Sequence, residues 1–322
     1  MLDCCRFGNT LGMAMLVAAM LVGLSSHAAP PRSAKSRAQR ATTPPNSPIA
    51  PEQFFENFLG PPAEQDQALA KIEISPADER RFGDAMVETY LAELRRQQLK
   101  VVDRGRDVEY LHDLIATLRP YMAHKDRYET IHVYVVDSAQ TDARSFPGGT
   151  LFFLRGLLDF AGSEAALAGI VGHELSHLDH GHQLAPLRRM KYFEESLEAN
   201  ARGFTPERMM SSVRTMVSGY ARPFRPEDES EADRDGATWA FRAGYDPRQM
   251  AELFMKLHRR DGDRTAVALS FLQTHPFHLD RCRAIEKQFV ALQRESPIDK
   301  LYVGKRNLKE RTARVKREFD NE

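Results

Sequence analysis

The chain has 322 residues, 42% of them hydrophobic and 28% charged, with 45 Lys and Arg against 45 Asp and Glu. That length can bury one large core or two modest ones without disulfides, and the composition excludes wholesale disorder, a collagen-like rod and a polytopic membrane protein. The neutral total is unevenly spread: residues 1–50 carry five bases against one acid and residues 300–322 carry eight against four, which leaves a net −8 on residues 51–299. An acidic body argues against nucleic acid as a partner, though either basic stretch could make peripheral contact with an anionic membrane.

Arg6 precedes an apolar run from Leu11 to Leu24, and Ser26-His27-Ala28 follows with small residues at the cleavage positions, the layout of a secretory signal. The run falls short of the roughly 20 residues a spanning helix needs, so residues 1–28 are read as a signal peptide cleaved after Ala28 rather than a retained anchor. Export to a periplasm or the extracellular space follows from that signal. Cys4 and Cys5 would leave with it, and Cys282 alone cannot form an internal disulfide. Residues 29–51, rich in proline and bases, read as a disordered linker. The domain itself is expected over 52–299. It opens with amphipathic helices from Pro76 to about Leu99 and from Val108 to Leu118. Thr130–Val136 and Thr150–Leu154 read as strands separated by the Pro147-Gly148-Gly149 turn. A helix then starts after Ser163 and runs to Gly181, and further helices are punctuated by prolines. No later segment is apolar enough to span a bilayer, and residues 300–322 read as a basic, solvated C-terminal tail. The fold class is α+β, mainly helical with a small, mostly antiparallel sheet.

The sequence Val171-Gly172-His173-Glu174-Leu175-Ser176-His177 places His-Glu-x-x-His on the long helix. Residues four apart lie one turn above each other, so both imidazoles can converge on one ion with Glu174 beside it. A catalytic zinc takes three protein ligands and keeps one position open for water. The spacing that would supply a third histidine is missing, because His180 and Gln183 stand where Gly and His would be needed. A carboxylate from the later segment Glu227-Asp228-Glu229-Ser230-Glu231-Ala232-Asp233 is the other solution. There Glu229 with Asp233, or Glu231 with Asp235, sit one turn apart, so one can ligate while the other holds the tautomer of a ligating histidine.

Four ordered motifs now make a resemblance specific: Pro147-Gly148-Gly149, His173-Glu174-Leu175-Ser176-His177, Glu229-Ser230-Glu231-Ala232-Asp233, and Thr274-His275-Pro276 with Arg281. Ala243-Gly244-Tyr245-Asp246-Pro247 adds a further match. Together they resemble the HtpX and CAAX-prenyl-endopeptidase family of zinc metalloendopeptidases, the glutamate-zincins, in its soluble exported branch. The resemblance implies a zincin-type domain whose edge strand, expected at 150–154, flanks the active-site helix and pairs with extended peptide. It implies one Zn²⁺ per chain held by His173, His177 and Glu229, with Asp233 supporting a ligating histidine. Glu174 is the implied general base, and His275, supported by Arg281, the donor to the oxyanion; in relatives this histidine can instead reach the metal in a resting state. Unfolded, misfolded or envelope proteins, cleaved in quality control, are the implied substrates, and a non-catalytic zinc-containing chaperone-like module is the competing class. The sequence departs from many relatives at Asp142-Ala143-Arg144-Ser145, read as a loop. His180, His182, Trp239 and Cys282 read as packing residues, and Met209, Met210 and Met216 as core or lid.

Overall fold

The computed structural model describes residues 69, 71–189, 191–192, 224–261, 275 and 279–320. The signal-like segment, the linker, Met209, Met210, Met216, Thr274, Pro276, His278 and most of the prospective lid lie outside the described residues. Ser75–Leu184 with Ala221–Glu322 form one compact unit, which contains every site residue. Met1–Ile74 with Ala185–Tyr220 form a second, in which only 69, 71–74, 185–189 and 191–192 are described.

Helix α1 (Pro76–Arg96) begins where Ser75 accepts the Asp78 amide and Pro76 occupies the first turn, a position that needs no N–H partner. It is followed by strand β1 (Val101–Val102), helix α2 (Arg106–Leu118) and strands β2 (His132–Val136), β3 (Ala143–Phe146) and β4 (Thr150–Leu154). The remaining helices are α3 (Arg155–Phe160), α4 (Glu164–His180), α5 (Pro226–Arg242), α6 (Arg248–Asp261), α7 (Leu279–Glu295) and α8 (Lys305–Glu310). The sheet order is β1-β2-β4-β3, with β2 and β4 parallel and the two outer pairings antiparallel. The expected mainly helical α+β fold with a mostly antiparallel sheet is therefore the one observed.

One strand differs from expectation. Thr150–Leu154 is not the edge: β4 lies inside the sheet with all five residues buried, and Ala143–Phe146, read as a loop, is the edge strand that packs beside α4. The polar pair Arg144 and Ser145 masked a strand, while Gly148 and Gly149, at φ 82° and 84°, close the hairpin in a region other residues avoid. Glu79 of α1 holds that turn by accepting the Gly148 amide at 3.2 Å. Alternation then explains the burial of β4: Leu151 and Phe153 face the main core, whereas Phe152 and Leu154 face Leu94 and Tyr90 of α1.

Helix α4 is buried on every side from Glu164 to Asp179 and fills the middle of the main core, which also contains Trp239 and Cys282. Its crossing with α5 is close because both contribute glycine. A Cβ on Gly172 would sit 2.9 Å from Gly236 Cα, and one on Gly236 would sit 2.6 Å from Gly169 O. Backbone thus meets backbone, and the first turns of α5 are drawn against the His-Glu-x-x-His segment.

Residues 300–320 are packed onto the domain rather than solvated as a tail. Tyr302, Leu308, Ala313 and Phe319 are buried, and Tyr302 exchanges backbone hydrogen bonds with Gly244 and Asp246. Their basic neighbours find acids on the body: Arg311 pairs with Asp107 at 3.0 Å and Lys316 with Asp113 at 2.6 Å. Composition registered the charges and missed the apolar residues between them. Among the described residues, no helix is long and apolar enough to cross a membrane.

Candidate metal centre

The second half of α4 presents His173, Glu174 and His177 in the interior, where all three are fully buried. Burying polar groups this way costs several kcal/mol unless they find partners, and their partners come from α5, α7 and residue 275. His173 Nε2 lies 3.1 Å from His177 Nε2 and 3.1 Å from His275 Nδ1. Glu229 Oε1 lies 2.8 Å from His275 Nδ1 and 3.6 Å from His177 Nε2, and Glu229 Oε2 lies 3.7 Å from His173 Nε2. One donor atom from each of these four residues falls within 4.8 Å of all the others. Three imidazole nitrogens and a carboxylate oxygen converging on a common point are a donor set suited to zinc, and the spacing suits ligands placed about 2 Å from one ion.

The neighbouring groups prepare these donors. His173 turns Nδ1 to Asp233 Oδ1 at 3.0 Å, which directs Nε2 to the common point. Arg281 of α7 grips Asp233 through Nε at 2.6 Å and a terminal nitrogen at 2.7 Å, and reaches Glu229 Oε2 at 2.9 Å. Burial opposes ionisation of Asp233, yet Arg281 and His173 together hold its carboxyl well below the usual range. Burial likewise opposes charge on Glu229, and His275, His173 and Arg281 outweigh it, so this group too is held low. Burial, then the nearby His173, His275 and His182, push His177 well below the ordinary imidazole value, which leaves it the neutral ring a metal requires.

Glu174 is placed differently. Burial raises its carboxyl above the usual range, only partly countered by His275 and His173. Among the described residues neither of its oxygens accepts a hydrogen bond of normal geometry, although His275 Nε2 approaches Oε1 at 3.3 Å and Ser145 of β3 faces it. A buried carboxylate beside a donor cluster, with its basicity raised, has the attributes of a general base.

The structure brings all the site residues expected from the sequence together: His173, His177, Glu229, His275, Glu174, Asp233 and Arg281. His275 sits among the donors as well as beside Glu174, with Nδ1 2.8 Å from Glu229 and Nε2 3.3 Å from Glu174. Of the two acidic registers open on spacing, Glu229 and Asp233 face the cluster. Glu231 instead approaches His182, at 3.3 Å, and Asp235 meets His180 and Ser176, each at 2.8 Å. Two neighbours were not assigned to the site from the sequence: Phe224 was not singled out, and His182 was read as a packing residue. Phe224 stacks on the His177 ring at a centroid distance of 3.9 Å, and His182 meets the same histidine edge-on. A lone aromatic ahead of a proline gives no spacing signal, so nothing in the pattern marked Phe224.

Residues 106–288, which contain this whole arrangement, match peptidase family M48. The chain is 32% identical over 145 residues to the mitochondrial metalloendopeptidase OMA1 of Arabidopsis thaliana, covering 45% of this chain and 28% of that protein. It is 29% identical over 158 residues to the beta-barrel assembly-enhancing protease of Yersinia pestis, covering 45% and 32%. With the protein of that name from Escherichia coli K12 it shares 24% identity over 197 residues, covering 57% and 38%. The chain thus spans only about a third of the length of these relatives. The match over more than half of its own length is to one family, and the buried donors lie within it: the chain belongs to peptidase family M48, the zinc metalloendopeptidases.

Proposed function

We propose that the chain is an exported endopeptidase whose one zinc is held by His173, His177 and Glu229 and whose general base is Glu174. The observation that carries this reading is the position of Glu174, wholly buried beside the four-donor cluster and without a well-formed hydrogen bond of its own. Zinc, when bound, supplies a Lewis acid that polarises a scissile carbonyl and makes water more acidic. Glu174 then accepts a proton from the attacking water on Oε1 or Oε2 and returns it to the leaving amine. Asp233 keeps the His173 ring oriented, and Arg281 keeps Asp233 charged and fixed. His275 leaves the donor cluster in the working state and turns a ring N–H toward the developing oxyanion, a contribution that typically reaches a few kcal/mol.

Polypeptide is the substrate class of the family. Support for the finer statement, unfolded or misfolded envelope proteins as clients, comes from the signal-like residues 1–28 and from relatives named for assisting β-barrel assembly. The edge strand β3 supports extended backbone as the bound form, because an open edge recognises main chain rather than particular side chains. A second reading, a non-catalytic zinc module, is favoured by His275 lying among the donors, since four protein ligands make a closed site. Against it stands Glu174, for which a structural site has no use.

The test compares the full chain with its Glu174→Gln variant, each first assayed for one zinc per chain, on casein as an unfolded substrate. Cleavage by the parent and a loss of about 10²–10⁴-fold in the variant support the reading. Equal cleavage by both overturns the role of Glu174, and absence of zinc from the parent overturns the site.

A further inference from the structure

The two histidines of the His-Glu-x-x-His segment each turn one nitrogen to the donor cluster and the other away from it. For His173 the outward nitrogen meets Asp233. For His177 it meets another histidine: Nδ1 lies 2.9 Å from Nδ1 of His182. Two imidazole nitrogens at that distance share a single proton, so one ring donates and the other accepts. A ring that offers its Nε2 lone pair to a cation keeps its own proton on Nδ1. His177 is therefore the donor and His182 Nδ1 the acceptor. His182 must then carry its proton on Nε2, and the acceptor there is Glu231 Oε2 at 3.3 Å, with the Asp228 carboxylate farther off at 3.8 Å. Every proton in this short relay has a partner of the correct kind, and the relay runs outward from the donor cluster to a carboxylate.

The local fold keeps the second ring in place. Gly181, at φ 66°, ends α4 in the left-handed conformation, and the 3₁₀ turn His182–Leu184 brings residue 182 back toward the helix it has just left. The His182 side chain is only 8% exposed. Its ring stacks on His180 at 16°, and His180 is itself anchored by Asp235 at 2.8 Å. A ring that merely filled space would not need both nitrogens aligned with complementary partners.

We propose that His182 is a positioning residue of the metal centre: its Nδ1 accepts the His177 Nδ1 proton, fixes the tautomer that leaves His177 Nε2 free, and is itself oriented by Glu231. This rests on the reading of His177 as a zinc ligand. It assigns the two ligating histidines unlike supports, a carboxylate for His173 and a neutral imidazole for His177.

The experiment measures zinc affinity of the full chain by competition with a chromophoric chelator, for the parent and for His182→Leu and His182→Gln. Leucine removes the acceptor, whereas glutamine can accept through its carbonyl and still donate toward Glu231. The expected result is a loss of about 10–100-fold in affinity for leucine, most of it recovered by glutamine, with unchanged metal-free unfolding midpoints. Parent-like affinity in the leucine variant, or the same loss in both, overturns the proposal. A long-range ¹H–¹⁵N spectrum of the zinc-loaded parent decides the matter even if the leucine variant does not fold. It should show His177 protonated on Nδ1 and His182 on Nε2, and a His182 protonated on Nδ1 overturns the proposal. A parent chain that binds no zinc overturns the reading of the site instead, and does so before any variant is compared.

Discussion

Glu164 and Glu174 stand ten residues apart on one helix, both with no exposed surface, and burial pushes both carboxyls up. They differ at one oxygen: Oε2 of Glu164 accepts no hydrogen bond among the described residues, but its Oε1 accepts two. Glu164, in the first turn of α4, accepts the Tyr245 hydroxyl at 2.7 Å and the Arg314 amide at 2.8 Å. Glu174, in the second half of the helix, has no comparable donor among the described residues. A buried carboxylate whose partners are built in belongs to the scaffold. One that is buried and left without them costs stability, and such a cost persists where chemistry makes use of it. The same helix is thus fastened at one end, and at the other holds the carboxylate proposed as the general base.

Substitutions can break that contrast, the strongest first. Glu174→Gln should cost the 10²–10⁴-fold in activity already given, while urea unfolding shows stability equal to or above the parent's, because the amide carries no buried charge. A large stability loss would place Glu174 with the scaffold. Arg281→Met should destabilise by about 3–5 kcal/mol in the same unfolding assay, since it leaves Asp233 and Glu229 buried without their cation. Glu164→Ala should cost about 1–3 kcal/mol by stranding the Tyr245 hydroxyl and the Arg314 amide. Its activity per folded molecule should remain near the parent's; a loss as deep as that of Glu174→Gln would erase the distinction between the two ends.

The smallest effect is a pH dependence at the fastened end. Burial, against the pull of Tyr245 and Arg314, raises the Glu164 carboxyl in the folded chain above its unfolded value. The stability it contributes is therefore complete below the ordinary carboxylate range and declines as pH climbs through the raised value. Glu164→Gln lacks that decline. The difference in unfolding free energy between parent and variant should shift against the parent from about pH 4 to about pH 8, and a constant difference would show that Glu164 is not titrating.

What the sequence disclosed depended on how far apart the cooperating residues lie. His173, Glu174 and His177 were legible because helical periodicity alone puts them together, and Glu229 with Asp233 because the same one-turn spacing recurs. The choice of that register over Glu231 with Asp235 needed the resemblance, since spacing treats both alike. Strand β3 was hidden because Arg144 and Ser145 break the apolar alternation by which a half-buried strand is recognised. His182 was hidden for a geometric reason: five residues beyond His177 on a continuous helix it would point elsewhere, and only the left-handed Gly181 turns it back. Residues 300–320 were misread because their partners Glu164, Gly244 and Asp246 are far away in the sequence, and charge composition carries no trace of such pairings.

The bond from Arg314 to Glu164 also has a consequence for timing. The chain is made from its first residue to its last, and domains fold as units once their contacts are available. The first turn of the helix that carries Glu174 obtains one of its two donors only when residue 314 arrives, 150 residues later. That helix is therefore completed late, after the peptidase segment at 106–288 has been made. A chain assembled in that order keeps the first turn of this helix incompletely bonded until residue 314 has been made.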